Sequence, residues 1–340
     1  MADTHSHDTA HTPNTANSAN APRFLTLASG ERFACCLLAL RIHPMPDGSY
    51  CHQAQIMFQT EPYGFEWFGP RVAADGLINQ LVMFEVVTGS DGTDIVVRII
   101  AAADPTQGTN PFDNVPPSWQ KDRKLLGRAA ALWKRLPPAL AQLVNAVLWD
   151  KDRLYRFVTG PSSVAHHHAE QGGNLRHSVE VAETALDIAA AQPNVNRDLL
   201  IAAGLLHDAG KIAEYVWDDI SLDWRLSPRG ELVGHRDTLI EWLGDARRHA
   251  RDLPEAQFIA LLHIINARSG APEYLGLREP RCLEADLLSL ADRWSVQRDV
   301  NAKALRHPNA DGFGRPRAQR RGRAYQTPKP YGQHPAPAAP

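Results

Sequence analysis

The sequence predicts an α+β chain of more than one domain, a small β-barrel followed by an all-α domain. Three observations carry this. Residues 24–103 hold five short apolar runs of strand length separated by turn residues. Residues 104–117 (DPTQGTNPFDNVPP) are rich in Pro, Gly, Asn and Asp, and beyond them apolar residues recur at helical intervals to about residue 300. The 340 residues leave room for two domains at roughly 150 each, and 44% hydrophobic residues suffice for sizeable cores.

Residues 1–22, rich in Thr, Asn, Ala and His without apolar periodicity, are expected to be a disordered tail. The β-module is placed at 23–103. Its runs RFACCLLALRI, QAQIMFQ, FEWFG, LVMFEVV and DIVVRII are split by PDGS, EPYG and GSDGTD, and five strands at this spacing favour an OB-fold-like Greek-key barrel. Within FEWFG, the period of two puts Phe65 and Trp67 on one face and Phe68 on the other. A linker is expected at 104–118 and a helical domain at 119–302, with helices near 120–136, 138–158, 175–191, 196–209, 235–250, 255–267 and 281–300. Residues 303–340 are expected to be a disordered basic tail, because Pro and Gly break any helix and no apolar period remains.

The near balance of 36 Lys and Arg against 38 Asp and Glu conceals an acidic body and a basic tail, since residues 303–340 hold eight basic residues and one acid. Arg315, Arg317, Arg320, Arg321 and Arg323 there would add salt-dependent attraction to phosphates, or merely solubilise the chain. The longest apolar stretch, LLIAAGLL at 199–206, falls far short of the ~20 residues that cross a bilayer. The N-terminus has no basic segment followed by an apolar run, so a cytoplasmic location is expected. Cys35, Cys36, Cys51 and Cys282 have no CxxC spacing, which excludes a cysteine zinc site and fits a reducing compartment.

The chemistry lies in the histidines of the helical part: HHHAEQGGNLRHS at 166–178, LLHDAGK at 205–211 and GH at 234–235, followed by LAD at 290–292. A neutral imidazole and a carboxylate at His207-Asp208 can both ligate a divalent ion. Adjacent helical positions point about 100° apart, however, so they converge only with other ligand-bearing helices. His177 opens one such helix, with Val181, Ala185 and Ile188 toward the core. Asp292 sits on another, with Leu283, Leu287 and Trp294 as its buried stripe. His263, among Phe258, Leu261, Leu262 and Ile265, reads as a core or supporting histidine.

In this order, the strings HHHAEQGGNLRHSVEVAETA, PNVNRDLLIAAGLLHDAGKIAEY, GELVGH and PEYLGLREPRCLEADLLSLAD resemble the HD-domain metal phosphohydrolases, and among them the YhaM-type 3′–5′ exoribonuclease family, in which an OB-fold module precedes an HD domain. The resemblance covers about 160–295, is mainly architectural over 24–103, and is absent from the tails. It implies a divalent metal of the manganese type, one ion or two, and single-stranded nucleic acid as substrate. It makes His177, His207, Asp208 and Asp292 the primary metal ligands, with Asp208 the bridge if two ions bind and His235 on the second. His167 and His168 would contact substrate phosphate or support the ligands from outside, or else be packed or solvated histidines. Where the family shows two consecutive histidines this chain has Arg268-Ser269, which puts the second metal in question and makes Arg268 a candidate phosphate ligand. Lys211 would supply positive charge to the transition state of in-line hydrolysis, or else sit solvated at a helix end.

Two further readings stand beside this one. HHHA, GG and HS are also similar to the TraI-like HD region of conjugative relaxases, and a non-catalytic nucleic-acid-binding HD protein would use the same ligands structurally. Tyr50, Phe58, Tyr63, Phe65, Trp67 and Phe68 of the β-module are candidates either for base stacking or for its core.

Overall fold

The computed structural model describes residues 29–58, 61–73, 76–88, 95–102, 108–149, 152–163, 170–306 (save 271, 273 and 275), 312–316 and 323–326. Five strands, β1 (Arg32–Pro44), β2 (Tyr50–Phe58), β3 (Glu61–Gly69), β4 (Leu81–Thr88) and β5 (Ile95–Ala102), form one antiparallel sheet in the order β3-β2-β1-β4-β5. The first half of β1 pairs with β4 and the second half with β2. The register slips between Leu37 and Ala39, where the strand bends from one partner toward the other. The edge strands β3 and β5 approach each other, so the sheet curls toward closure around Cys35, Leu37, Ala54, Ile56, Trp67, Val82 and Phe84. Alternation holds as expected: Trp67 is buried with Tyr63 and Phe65 packed on the same side, while Phe68 is exposed. Tyr50 is half-buried, and the side chain of Phe58 lies outside the described residues. Cys36, Met57 and Leu81 face the other way and join the core of the helical body.

Helices α1 (Arg123–Lys134), α2 (Pro138–Leu148), α3 (Arg153–Thr159), α4 (Gly173–Ala189), α5 (Arg197–Leu206), α6 (Lys211–Glu214), α7 (Pro228–Leu232), α8 (Gly234–Ala246), α9 (Glu255–Asn266) and α10 (Leu283–Ala304) build that body. Caps fix several starts: Asp122 accepts from the Leu125 amide and Asn196 from the Leu199 amide, and Pro138 opens α2. The single helix expected over 138–158 is two. α2 ends at Leu148, and Arg153 of α3 reaches back to donate to the Val147 carbonyl, one of those the helix end leaves unsatisfied.

Three further expectations are corrected. Thr109–Gln120 is no free spacer: Phe112, Val115 and Trp119 are buried in the helical core. Asn110 meets the segment's polar needs by donating to Ala130 O and accepting from the Phe112 amide. Residues 303–340 are not wholly irregular, because Phe313–Pro316 (β8) pairs with Arg323–Tyr325 (β9) beside α10, whereas residues 1–22 and Arg317, Arg320 and Arg321 lie outside the described residues. A hairpin of β6 (Tyr215–Asp218) and β7 (Asp223–Leu226) follows α6 where no strand is expected. Among the described residues no helix is long and apolar enough to cross a membrane.

Candidate metal centre

Three helices converge on one point. His177 projects from α4, fully buried like Val181 and Ala185; Ile188, expected on the same face, is exposed. His207 and Asp208 follow the last turn of α5, where the chain leaves the helix, and this end resolves the 100° divergence of neighbouring helical positions. α4 and α5 lie in contact because Gly204 has no side chain: a Cβ there would stand 2.6 Å from both Cα and Cβ of Ala182. Asp292 comes from α10, whose buried stripe is Ala285, Leu288, Ala291 and Ser295. Leu283 and Trp294 are exposed, and of the expected stripe only Leu287 is buried. With Asp292 part of the inward face, the phase of that helix follows the metal-site side rather than its bulkiest residues. Ahead of α4, Gly172 has φ 78° and packs against Gln120, so a side chain is excluded there twice over.

His177 Nε2 lies 3.2 Å from Asp208 Oδ2, 3.2 Å from Asp292 Oδ1 and 3.2 Å from His207 Nε2, and His207 Nε2 lies 3.5 Å from Asp208 Oδ2. Metal bonds of about 2.0–2.1 Å place neighbouring ligand atoms about 2.8–3.4 Å apart, so His177, His207 and Asp208 are spaced to suit one divalent ion, with Asp292 beside His177. The tautomers agree. His207 Nδ1 is 3.0 Å from the Gly204 carbonyl, which can only accept, so this nitrogen carries the proton and Nε2 presents its lone pair. Ser295 Oγ donates to Glu180 at 3.1 Å and is thereby left to accept from His177 Nδ1 at 3.2 Å. Two lone pairs and two carboxylates then face one another, an arrangement that favours a cation beyond the Lys211 ammonium already on Asp208. In the metal-free chain a proton supplies it. Burial works against charge on His177, but the hydrogen bonds and charges of Asp208 and Asp292 outweigh it and raise this group to about 9. Burial lowers His207, its largest influence. Burial also opposes ionisation of Asp208, yet Lys211, His207 and His177 hold it well below the usual carboxylate range.

His235, the second residue of α8, faces the other carboxylate oxygen of Asp208 (Nε2 to Oδ1, 3.5 Å), and its Nδ1 is 2.5 Å from Glu214 Oε2. Asp208 therefore stands between His177 and His207 on one side and His235 on the other. Lys211 is buried rather than solvated, its Nζ 2.6 Å from Asp208 Oδ2 and 3.4 Å from Ser162 Oγ. Asp292, with 35% of its side chain exposed, opens the cluster to solvent. It lines, with His207, a cavity of about 260 Å³ that also receives Arg236, Arg268, Ser269 and Arg293. Arg268 lies outside the ligand cluster and donates to Ala267 O at 2.6 Å, at the end of α9. His263 accepts from the Arg281 amide at 2.9 Å and serves the 268–281 loop. His166, His167 and His168 lie outside the described residues. Ser295, Glu180, Glu214 and Arg236 are absent from the sequence reading; the first two stand three residues after Asp292 and His177, on the same helical faces.

Residues 174–296 match the HD domain family model. Among curated proteins, the chain is similar to the 3′-5′ exoribonuclease YhaM of Listeria innocua, with 28% identity over 157 residues, 46% of this chain and 49% of that protein. The YhaM protein of Listeria welshimeri is 25% identical over 219 residues, 64% of this chain and 68% of the relative; for that of Oceanobacillus iheyensis the figures are 25% over 209 residues, 62% and 63%. The chain thus spans about half the length of the first curated relatives it matches. No solved structure matches it. His177, His207 and Asp208, with Asp292 beside His177, fall within the matched segment, so residues 174–296 carry an HD domain in a chain similar to the YhaM exoribonucleases.

Proposed function

We propose that the chain is a metal-dependent nuclease that removes nucleotides from the 3′ end of single-stranded RNA or DNA. The observation that carries this is the convergence of the His177 and His207 Nε2 lone pairs with Asp208 and Asp292, beside a cavity lined by three arginines. In this reading His177, His207, Asp208 and Asp292 would hold a divalent ion, manganese by the family resemblance, and such an ion would supply an activated water and a Lewis acid for the phosphodiester. His235, facing Asp208, would serve a second ion if one binds. Arg268, with Arg236 and Arg293, takes the phosphates, for which guanidinium forks are suited. Lys211 acts through Asp208: its ammonium keeps the carboxylate charged and aimed at the cluster. Glu214 orients His235 as Ser295 orients His177. His167 and His168 are assigned to substrate phosphate on the resemblance alone.

The test is digestion of single strands of RNA and DNA, labelled at either end, with and without manganese. Stepwise loss from the 3′ end that disappears in Asp208→Asn, with strand binding retained, is the expected result. A covalent protein–DNA adduct or a site-specific nick in a supercoiled plasmid would replace this reading with a relaxase. Intact strands under every divalent metal, with tight binding, would leave a non-catalytic binding protein.

A further inference from the structure

A second cavity, of about 690 Å³, lies between α3 and the β6–β7 hairpin, within the range of about 300–1,000 Å³ that holds small molecules. Its walls are Tyr155, Trp217 and Trp224 with Arg156, Asp152 and Asp223. Tyr155 of α3 and Trp217 of the hairpin are 43% and 44% exposed and face one cavity, and exposed rings grouped in this way mark an interaction site. The rings are nevertheless held in place. Trp217 and Trp224 pair across the strands edge to face with centroids 5.6 Å apart, and Tyr155 meets the buried Trp119 in the same manner at 5.1 Å. Arg156 ties α3 to the hairpin by donating to Tyr215 O at 2.9 Å. The hairpin grows directly out of the metal cluster, because Trp217 is three residues beyond Glu214, at most about 10 Å of strand.

The chemistry of the two cavities differs. The arginine cavity suits phosphate, whereas this one sets two carboxylates against a single guanidinium already donating to Tyr215 O, and its carboxylates can accept from the amino groups of bases. Aromatic faces with such acceptors fit a flat, neutral, hydrogen-bonding ring. We infer that Tyr155, Trp217 and Trp224 form a stacking pocket for an unpaired nucleobase of the strand whose phosphodiester lies at the histidine–aspartate cluster. This rests on the nuclease reading above.

The experiment measures binding of a fluorescein-labelled single strand to the full chain in EDTA, in parallel with its cleavage in manganese. Trp217→Leu and Trp224→Leu should each weaken binding about 5- to 150-fold, and Trp217→Phe, which keeps a ring, should restore most of it. An abasic position walked along the strand should weaken wild-type binding at one register and have no further effect there on Trp217→Leu. Trp224→Leu carries the same abasic comparison if Trp217→Leu unfolds. A wild type that binds and cleaves strands, with both variants and every abasic strand indistinguishable from it, overturns the pocket alone; a wild type that neither binds nor cleaves overturns the nuclease reading with it. Sedimentation that shows a changed oligomeric state in the leucine variants, with strand binding intact, would assign the rings to a second copy and overturn the inference.

Discussion

Replacing Gly204 by alanine adds one methyl group between the two helices that carry His177 and His207. That methyl would sit 2.6 Å from Ala182 Cα and Cβ. Carbon atoms settle at about 3.5–4.0 Å, so α4 and α5 must separate by about 1 Å or strain by an equivalent amount. Overpacking of this kind costs about 1–3 kcal/mol, and a chain of this size loses roughly 2–4 °C of melting temperature per kcal/mol. The lever arm to the site is short: His177 lies five residues from Ala182 and His207 three from Gly204, about 7.5 and 4.5 Å along their helices. A 1 Å separation there would widen the 3.2 Å gap between the imidazole nitrogens far beyond the ~0.2 Å that metal bonds tolerate. Gly204→Ala is therefore expected to lower the melting temperature and to weaken manganese binding at least about tenfold by calorimetric titration. Gly127→Ala is the control, since nothing lies within 4 Å of a Cβ on that helix; it should be neutral or stabilise by up to about 1 kcal/mol. If Gly204→Ala behaves like Gly127→Ala in both assays, close approach of α4 and α5 does not set the ligand spacing.

Asp208→Ala should abolish manganese binding and reduce strand hydrolysis by more than about 100-fold, beyond what loss of an outer partner costs, and it should also destabilise the fold because Lys211 is left buried without its carboxylate. Ser295→Ala, which frees the His177 ring to rotate, should weaken metal binding about 10- to 100-fold in the same titration while leaving the melting temperature within a few degrees. Because His177 in the metal-free chain is raised to about 9, the metal displaces a proton at lower pH. Manganese affinity should then climb about tenfold per pH unit up to that value and level off above it; a flat profile between about pH 7 and 9 would sink the assignment. For the metal-free chain the sign is opposite: the stabilisation from protonated His177 is complete below its ordinary value of 6.5 and is lost as pH rises through about 9, which denaturation curves at the two ends would show.

Much of the site was legible because its carriers are covalently close or strongly patterned. His207-Asp208 is a dipeptide, and the alternation of Tyr63, Phe65 and Trp67 is a period of two that burial enforces. What was illegible depends on distances between elements. Ser295 becomes important only because α10 lies against α4, and Glu180 because it accepts from Ser295 while pairing with Arg298. The β6–β7 hairpin escaped because four-residue strands give no readable period, and Trp217 and Trp224 become a pair only once the turn is closed. Polar composition misled over Thr109–Gln120, where Asn110 and Asn114 look like turn residues yet bond the backbone of a buried segment. In α10 the bulky Leu283 and Trp294 suggested one face, while small residues chose another.

That buried segment has a mechanical meaning. Asn145 accepts from the Trp133 indole and donates to Thr109 O, and Cys36, Met57 and Leu81 of the barrel share a core with α1 and α2, so the connection behaves as a weld rather than a hinge. The barrel and the helical body should unfold together in a single calorimetric transition. A truncation that starts at Asp122 would tear Phe112, Val115 and Trp119 out of the body it was meant to isolate. One that begins before Thr109 keeps them. If the curled sheet also binds the strand, the number of nucleotides between it and Asp208, read from the shortest oligomer that is still degraded, should not change with temperature or viscosity.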